Sequence, residues 1–260
     1  MSRALYPPLR PQSVGEVLDS GFAIFHRTVL RCLPYALIAV IAPQLTRLHD
    51  IAVGHSVRRF GGSDALWWVY FVLGAVLSLL FWSALLIRQR ALAAAVPSGV
   101  AAELGTALRR LLPLAALVAC LALVVAVATA LLVIPGLYLL LSLAFAAPAL
   151  LLDGKGPIAA LIYSNALVYR HWWRTLLILL VGLAVLSALY GVVFVVIGIV
   201  FALRGTPDLA VVAAVTTATG IILGAALAPF LFALMLASYG ELRVRREGLD
   251  LERRVAALGS

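Results

Sequence analysis

The groups from which a catalytic or metal site would have to be built are few in this 260-residue chain: four histidines, two cysteines and eleven acids. The histidines are His26, His49, His55 and His171, and no pair has the spacing of a zinc motif such as H-E-x-x-H. His49, Asp50, His55 and Asp64 share one stretch and are chemically able to ligate a transition metal. They lack a strong ligand set and flanking partners, so a solvated loop is the expectation there, with Gly61-Gly62 as a turn. No G-x-S-x-G elbow occurs, and Ser78, Ser83, Ser142, Ser187 and Ser238 lie in apolar surroundings where a hydroxyl bonds its own helix or a neighbour. Cys32 and Cys120 sit inside apolar runs and read as small hydrophobes, not as nucleophiles or disulfide partners. The acids are Glu16, Asp19, Asp50, Asp64, Glu103, Asp153, Asp208, Glu241, Glu247, Asp250 and Glu252, and none falls within an apolar run. Ion-coupled carriers place an ionisable group near the membrane midplane, so this distribution argues against a buried proton or cation relay. No cofactor or metal is expected, and no nucleophile, base and oxyanion site can be assembled that would make the chain an enzyme.

The densest polar patch runs from Asp153 and Lys155 to Tyr169, Arg170, His171, Trp172, Trp173 and Arg174. It reads either as an interfacial anchor or as a site for lipid headgroups or a partner protein, because basic side chains beside aromatics attract anionic headgroups.

The elements that carry these groups are set by hydropathy. Residues 111–152 include no charged side chain, and at about 1.5 Å per residue one helix of that length would be twice the ~30 Å hydrocarbon core, so the stretch crosses twice. Proline and glycine at Ile134-Pro135-Gly136 are the natural place to divide it. Further charge-free runs at 32–46, 66–87, 175–203 and 209–240 bring the expected total to six spans. The mean hydropathy of +1.11 agrees, as does a composition 64% hydrophobic and only 12% charged. The net charge of +9 is scattered between apolar spans, without a recognition motif, and so gives no reason to expect nucleic acid. Residues 1–27 have no continuous apolar stretch of the kind a cleaved signal peptide needs, which leaves targeting to the first span. The expected organisation is a tail over 1–12, one six-span domain over 13–240 and a basic tail over 241–260.

Orientation follows from arginine. Arg3, Arg10, Arg27, Arg31, Arg88, Arg90, Arg109, Arg110, Lys155, Arg170, Arg174, Arg243, Arg245, Arg246, Arg253 and Arg254 fall on one side of such a six-span chain. Arg47, Arg58, Arg59 and Arg204 fall on the other, sixteen against four. The positive-inside rule then predicts cytoplasmic termini. Trp67, Trp68 and Tyr70 at one span end, and Trp172 and Trp173 at another, fit interfacial aromatic belts. Each odd span is preceded by a short, mildly amphipathic segment: 13–27, 98–112 and 156–173. The first has Val14, Val17, Leu18, Gly21, Phe22 and Phe25 on one face and opens with Ser13 and Glu16 as a capping box. The expectation is three short cytoplasmic interfacial helices, each leading into a transmembrane hairpin, in a pattern compatible with three pseudo-repeats. Gly220, Gly224 and Ala228 form a small-residue stripe suited to close helix packing, as do Ser187 and Gly191, with a homodimer seam as the alternative. Pro148 and Pro229 are expected to kink spans four and six.

Three segments, SVGEVLDSGFAIFHR (13–27), PALLLDGKGPIAALIYSNALVYRHWWR (148–174) and YGELRVRREGLDLE (239–252), resemble the corresponding parts of the glycerophosphoryl diester phosphodiesterase membrane-domain family and its uncharacterised bacterial relatives. The resemblance implies a six-span bacterial membrane protein. It transfers no catalytic residue: in some members that region is fused to a barrel-type catalytic domain needing about 250 residues of its own, whereas only 20 residues follow Gly240 here. The leading expectation is a non-enzymatic inner-membrane scaffold or accessory subunit that engages membrane lipids or partner proteins through a basic cytoplasmic face. The alternative is a transporter or channel for an apolar or lipid-like solute.

Overall fold

Ser13 starts the first helix as its neighbours dictate. Its hydroxyl accepts the Glu16 N–H at 3.3 Å, while the Glu16 carboxylate accepts the Ser13 N–H at 2.6 Å. In the computed structural model, which describes residues 4–52, 65–205, 208–247 and Val255, helix α1 (Val14–Ile41) then runs without a break. The expected interfacial helix over 13–27 is therefore the first half of the first spanning helix. At 28 residues and about 1.5 Å per residue, α1 outruns a ~30 Å hydrocarbon core. Its buried face is Val17, Gly21, Ile24 and Thr28, a period of about 3.6; Phe22 is 48% exposed and meets Phe230 at 4.9 Å. Pro43 sits in a single 3₁₀ turn (Ala42–Gln44) that hands the chain to α2 (Leu45–Ala52). His49 is buried and lies 5.3 Å from the Tyr70 ring, while His55 and Asp64 lie outside the described residues.

α3 (Ala65–Ala93) returns antiparallel to α1, α4 (Val100–Arg109) is a short separate helix, and α5 (Leu111–Leu131) and α6 (Val133–Ser142) form the expected hairpin. The reversal comes at Leu132, in extended conformation (φ −159°, ψ 141°), with Pro135 inside the first turn of α6, where its missing N–H costs nothing. Gly136 is where the two helices meet most closely: a Cβ there would stand 2.1 Å from Thr129 Oγ1. The fourth span is interrupted at 143–145, ahead of Pro148, and resumes as α7 (Ala146–Asp153). Pro148 thus occupies the first turn of a new helix instead of kinking an old one. Gly154, with φ +73°, ends it in the left-handed region.

α8 (Pro157–Val168) is the second short connecting helix, followed by α9 (Trp172–Arg204) and α10 (Leu209–Glu247). Among the described residues there are no strands, and six helical stretches are long and apolar enough to cross a membrane. The chain is an all-α, multi-pass membrane protein. α10 is the central element, packed most extensively on α1 and also on α3, α8 and α9. Leu234 of α10 is fully buried against Gly21 of α1 and Gly182 of α9, where a Cβ would come within 3.1 and 2.3 Å of its methyls. Of the small-residue stripe, Gly224 meets Val40 and Tyr190, Ala228 is half-buried and Gly220 has nothing within 4 Å; Ser187 and Gly191 are exposed. α10 also continues past Gly240, and Glu241, Leu242 and Val244 are buried, so the start of the segment read as a basic tail is part of the packed fold.

Candidate functional site

Three carboxylates that the sequence places outside the apolar runs prove to be buried or nearly so, and all three lie toward the same end of the bundle, where α3, α4, α7, α9 and α10 converge. Glu103 sits on the face of α4 that also buries Ala107, one turn on. It receives Arg88 Nη1 at 2.9 Å, the Tyr35 hydroxyl at 2.7 Å and the Ser98 hydroxyl. Burial raises the Glu103 carboxyl, but the hydrogen bonds from Ser98, Arg88 and Tyr35 outweigh it and hold its pKa below the usual carboxylate value. Asp153, at the end of α7, accepts Arg243 Nη1 at 2.9 Å and the Tyr239 hydroxyl, from positions one turn apart on α10. Glu241, fully buried, is gripped by Arg174 at 3.2 Å and by Arg245. Arg174 and Arg245 both also donate to the Gln12 carbonyl, which ties the N-terminal segment down.

That segment is a second layer of the same end. Leu5 and Tyr6 donate their N–H groups to the Ala93 carbonyl, and Gly240 lets the ring of Tyr6 and Pro8 approach α10: a Cβ at 240 would stand 2.7 Å from Tyr6 Cε2. Burial raises the Tyr6 phenol above its ordinary pKa, against the opposing influence of Arg243 and Arg90. Deeper in, Gln89 of α3 donates to Thr28 Oγ1 at 3.1 Å and to the Pro229 carbonyl at 2.8 Å, pinning three helices with one amide.

The expected patch is divided by this arrangement. Arg174 points inward to its carboxylate, Lys155 lies 4.0 Å over the Tyr163 ring, and Trp172 stacks on Tyr138 at 5.7 Å. Tyr169, Arg170 and Trp173 stay exposed, with Tyr169 and Trp173 at 70% and 76%. The side chains of Arg170 and His171 make no hydrogen bond or ion pair among the described residues. Arg246 joins the patch from α10, 5.5 Å over Tyr163. The ion pairs of this end are internal to the fold: Glu103, Asp153 and Glu241 each hold an arginine, while the exposed stretch at 169–173 is basic and aromatic. Among the described residues no cluster of His, Cys, Asp and Glu could hold a metal ion.

The residues missed in the sequence are Gln12, Tyr35, Gln89 and Tyr239, each bonded to a group far away in the chain. The one local signal is at Glu103, which shares the inward face of α4 with Ala107 one turn on.

A family profile described as a domain of unknown function, DUF7847, matches residues 21–242. No curated protein and no solved structure matches the chain. The family shown is thus not the glycerophosphoryl diester phosphodiesterase membrane-domain family that three segments resemble, though the absence of an assigned activity is common to both readings. The match begins in α1, ends in α10 and takes in Glu103, Asp153, Arg174 and Glu241: the chain belongs to the DUF7847 family.

Proposed function

We propose that this protein is a non-enzymatic scaffold or accessory subunit of a bacterial inner membrane, holding anionic lipid headgroups, or the acidic face of a partner protein, at its arginine-rich end. The observation that carries the reading is the charge balance there. Asp153, Glu103 and Glu241 are spent on Arg243, Arg88, Arg174 and Arg245, while Arg170 and His171 stand beside exposed Tyr169 and Trp173 and form no ion pair among the described residues. Exposed cations flanked by aromatics suit a leaflet of anionic lipids. The sixteen-to-four distribution of Lys and Arg supports a cytoplasmic location for that end and for both termini. Three apolar clusters pack the helices against one another, which suits a static support. Kinship with the glycerophosphoryl diester phosphodiesterase membrane domains is a proposal on the same footing, resting on the three segments quoted above.

A photo-reactive amino acid at Tyr169 or Trp173, compared with one at Leu66 on the opposite end, tests the reading in intact cells. Adducts with acidic phospholipid or with one protein, enriched at the first two positions, support it. Equal labelling at all three, or hydrolysis of a glycerophosphodiester by the purified chain that one point mutation abolishes, overturns it.

A further inference from the structure

Three cavities adjoin along the seam between the α5/α6 hairpin, the start of α9 and the end of α10. The first, of about 350 Å³, is walled by leucines and alanines, among them Leu117 and Leu121 of α5, Leu137 and Leu140 of α6, and Leu176 and Leu179 of α9. The second, of about 830 Å³, shares Leu137 with the first and is bounded by Tyr138, Trp172, Trp173 and Arg174. The third, of about 590 Å³, shares Tyr169, Arg170 and His171 with the second and adds Asn165, Arg245 and Arg246. The lining therefore passes in one direction from aliphatic to aromatic to cationic. Among the described residues no carboxylate lines any of the three.

The walls are held in place by the protein itself. Trp172 is fixed by stacking on Tyr138 and by its Nε1–H, which donates to the Tyr138 carbonyl at 3.4 Å. Arg245 is positioned by Glu241 and the Gln12 carbonyl, and Arg246 by the Tyr163 ring. Preset side chains lose little freedom when a ligand arrives. Arg170 completes the cationic end, and its side chain makes no hydrogen bond or ion pair among the described residues. A guanidinium fork beside two others suits the oxygens of a phosphate diester. A free phosphate would leave the aliphatic cavity unused, whereas an amphiphile fills all three.

We propose that this run of cavities binds one molecule of an anionic glycerophospholipid. An acyl chain would lie in the leucine slot between α5, α6 and α9, the glycerol against Trp172 and Trp173, and the phosphate on Arg170, Arg245 and Arg246. The proposal rests on the reading that this end meets a lipid leaflet, and it adds a defined stoichiometry and a defined seat.

Native mass spectrometry of the full chain in mild detergent tests it, with phosphatidylglycerol and phosphatidylcholine as probes. The expected result is one phosphatidylglycerol retained per chain, at least about tenfold more tightly than phosphatidylcholine. Arg170→Gln, at an exposed side chain, should weaken retention about tenfold, the scale of one charged hydrogen bond. Leu140→Trp, which crowds the slot without changing charge, should weaken it comparably, and Arg109→Gln should leave it unchanged. Glycerol 3-phosphate, carrying the anion without the tail, should not displace the lipid at equal concentration. Several weakly held anionic lipids, lost equally with Arg109→Gln and Arg170→Gln, would overturn the seat while leaving the broader headgroup reading standing. Equal retention of both lipids would overturn the two together, and displacement by glycerol 3-phosphate would reassign the site to a soluble phosphate.

Discussion

Asp153 and Arg243 stand ninety positions apart in the chain and 2.9 Å apart in the fold. The same carboxylate takes the hydroxyl of Tyr239, so one acid at the end of α7 is held by two side chains one turn apart on α10. With both partners largely withdrawn from water, such a pair is worth more than a surface ion pair, and losing one member leaves the other without its partner.

Asp153→Asn should therefore lower stability by about 2 kcal/mol, and Arg243→Gln by a similar amount. The double variant should fall short of the sum by about 1 kcal/mol. Unfolding of the purified chain by titration with denaturing detergent measures all three. Strict additivity would mean that the two residues act separately.

Glu103 gives stability a pH dependence of known sign. Its folded pKa is lowered, so its contribution is present above the unfolded value near ~4.3 and is lost as pH falls through the lower folded value. Glu103→Gln should flatten that acid limb and reduce stability at neutral pH. Thermal unfolding in detergent across the acid range reads both effects.

Gly74 and Gly220 should respond oppositely to alanine. A Cβ at 74 would stand 2.6 Å from the Ala42 carbonyl oxygen, whereas nothing lies within 4 Å at 220. Gly74→Ala should destabilise by about 1–3 kcal/mol, and Gly220→Ala should be neutral or slightly stabilising. Equal effects would contradict the packing of α3 on the 3₁₀ turn.

Spans and reversals were legible because they depend on local hydropathy. Six apolar stretches, the Ser13–Glu16 cap and a hairpin two residues from Ile134-Pro135-Gly136 all follow from near neighbours in the chain. What local pattern could not supply was partner choice. Nothing near Glu103 marks Tyr35 as its hydrogen-bond donor, and nothing near Gly240 announces that the ring of Tyr6 rests there. The continuity of α1 past Arg31 was also hidden, since an arginine at a span boundary reads alike whether the helix bends or runs straight on. In the patch, Arg170 and Arg174 are of one residue type, and only the fold separates the exposed cation from the buried ion pair.

Orientation is the claim on which the rest stands, because an arginine-rich end can meet an anionic inner leaflet only from the cytoplasm. Single cysteines introduced at Ser260 and at Ser63, in a background lacking Cys32 and Cys120, decide it with an impermeant thiol reagent on intact cells. The cysteine at Ser63 should be labelled and the one at Ser260 protected until the membrane is breached. Labelling of the Ser260 position from outside, with protection at Ser63, would contradict the account.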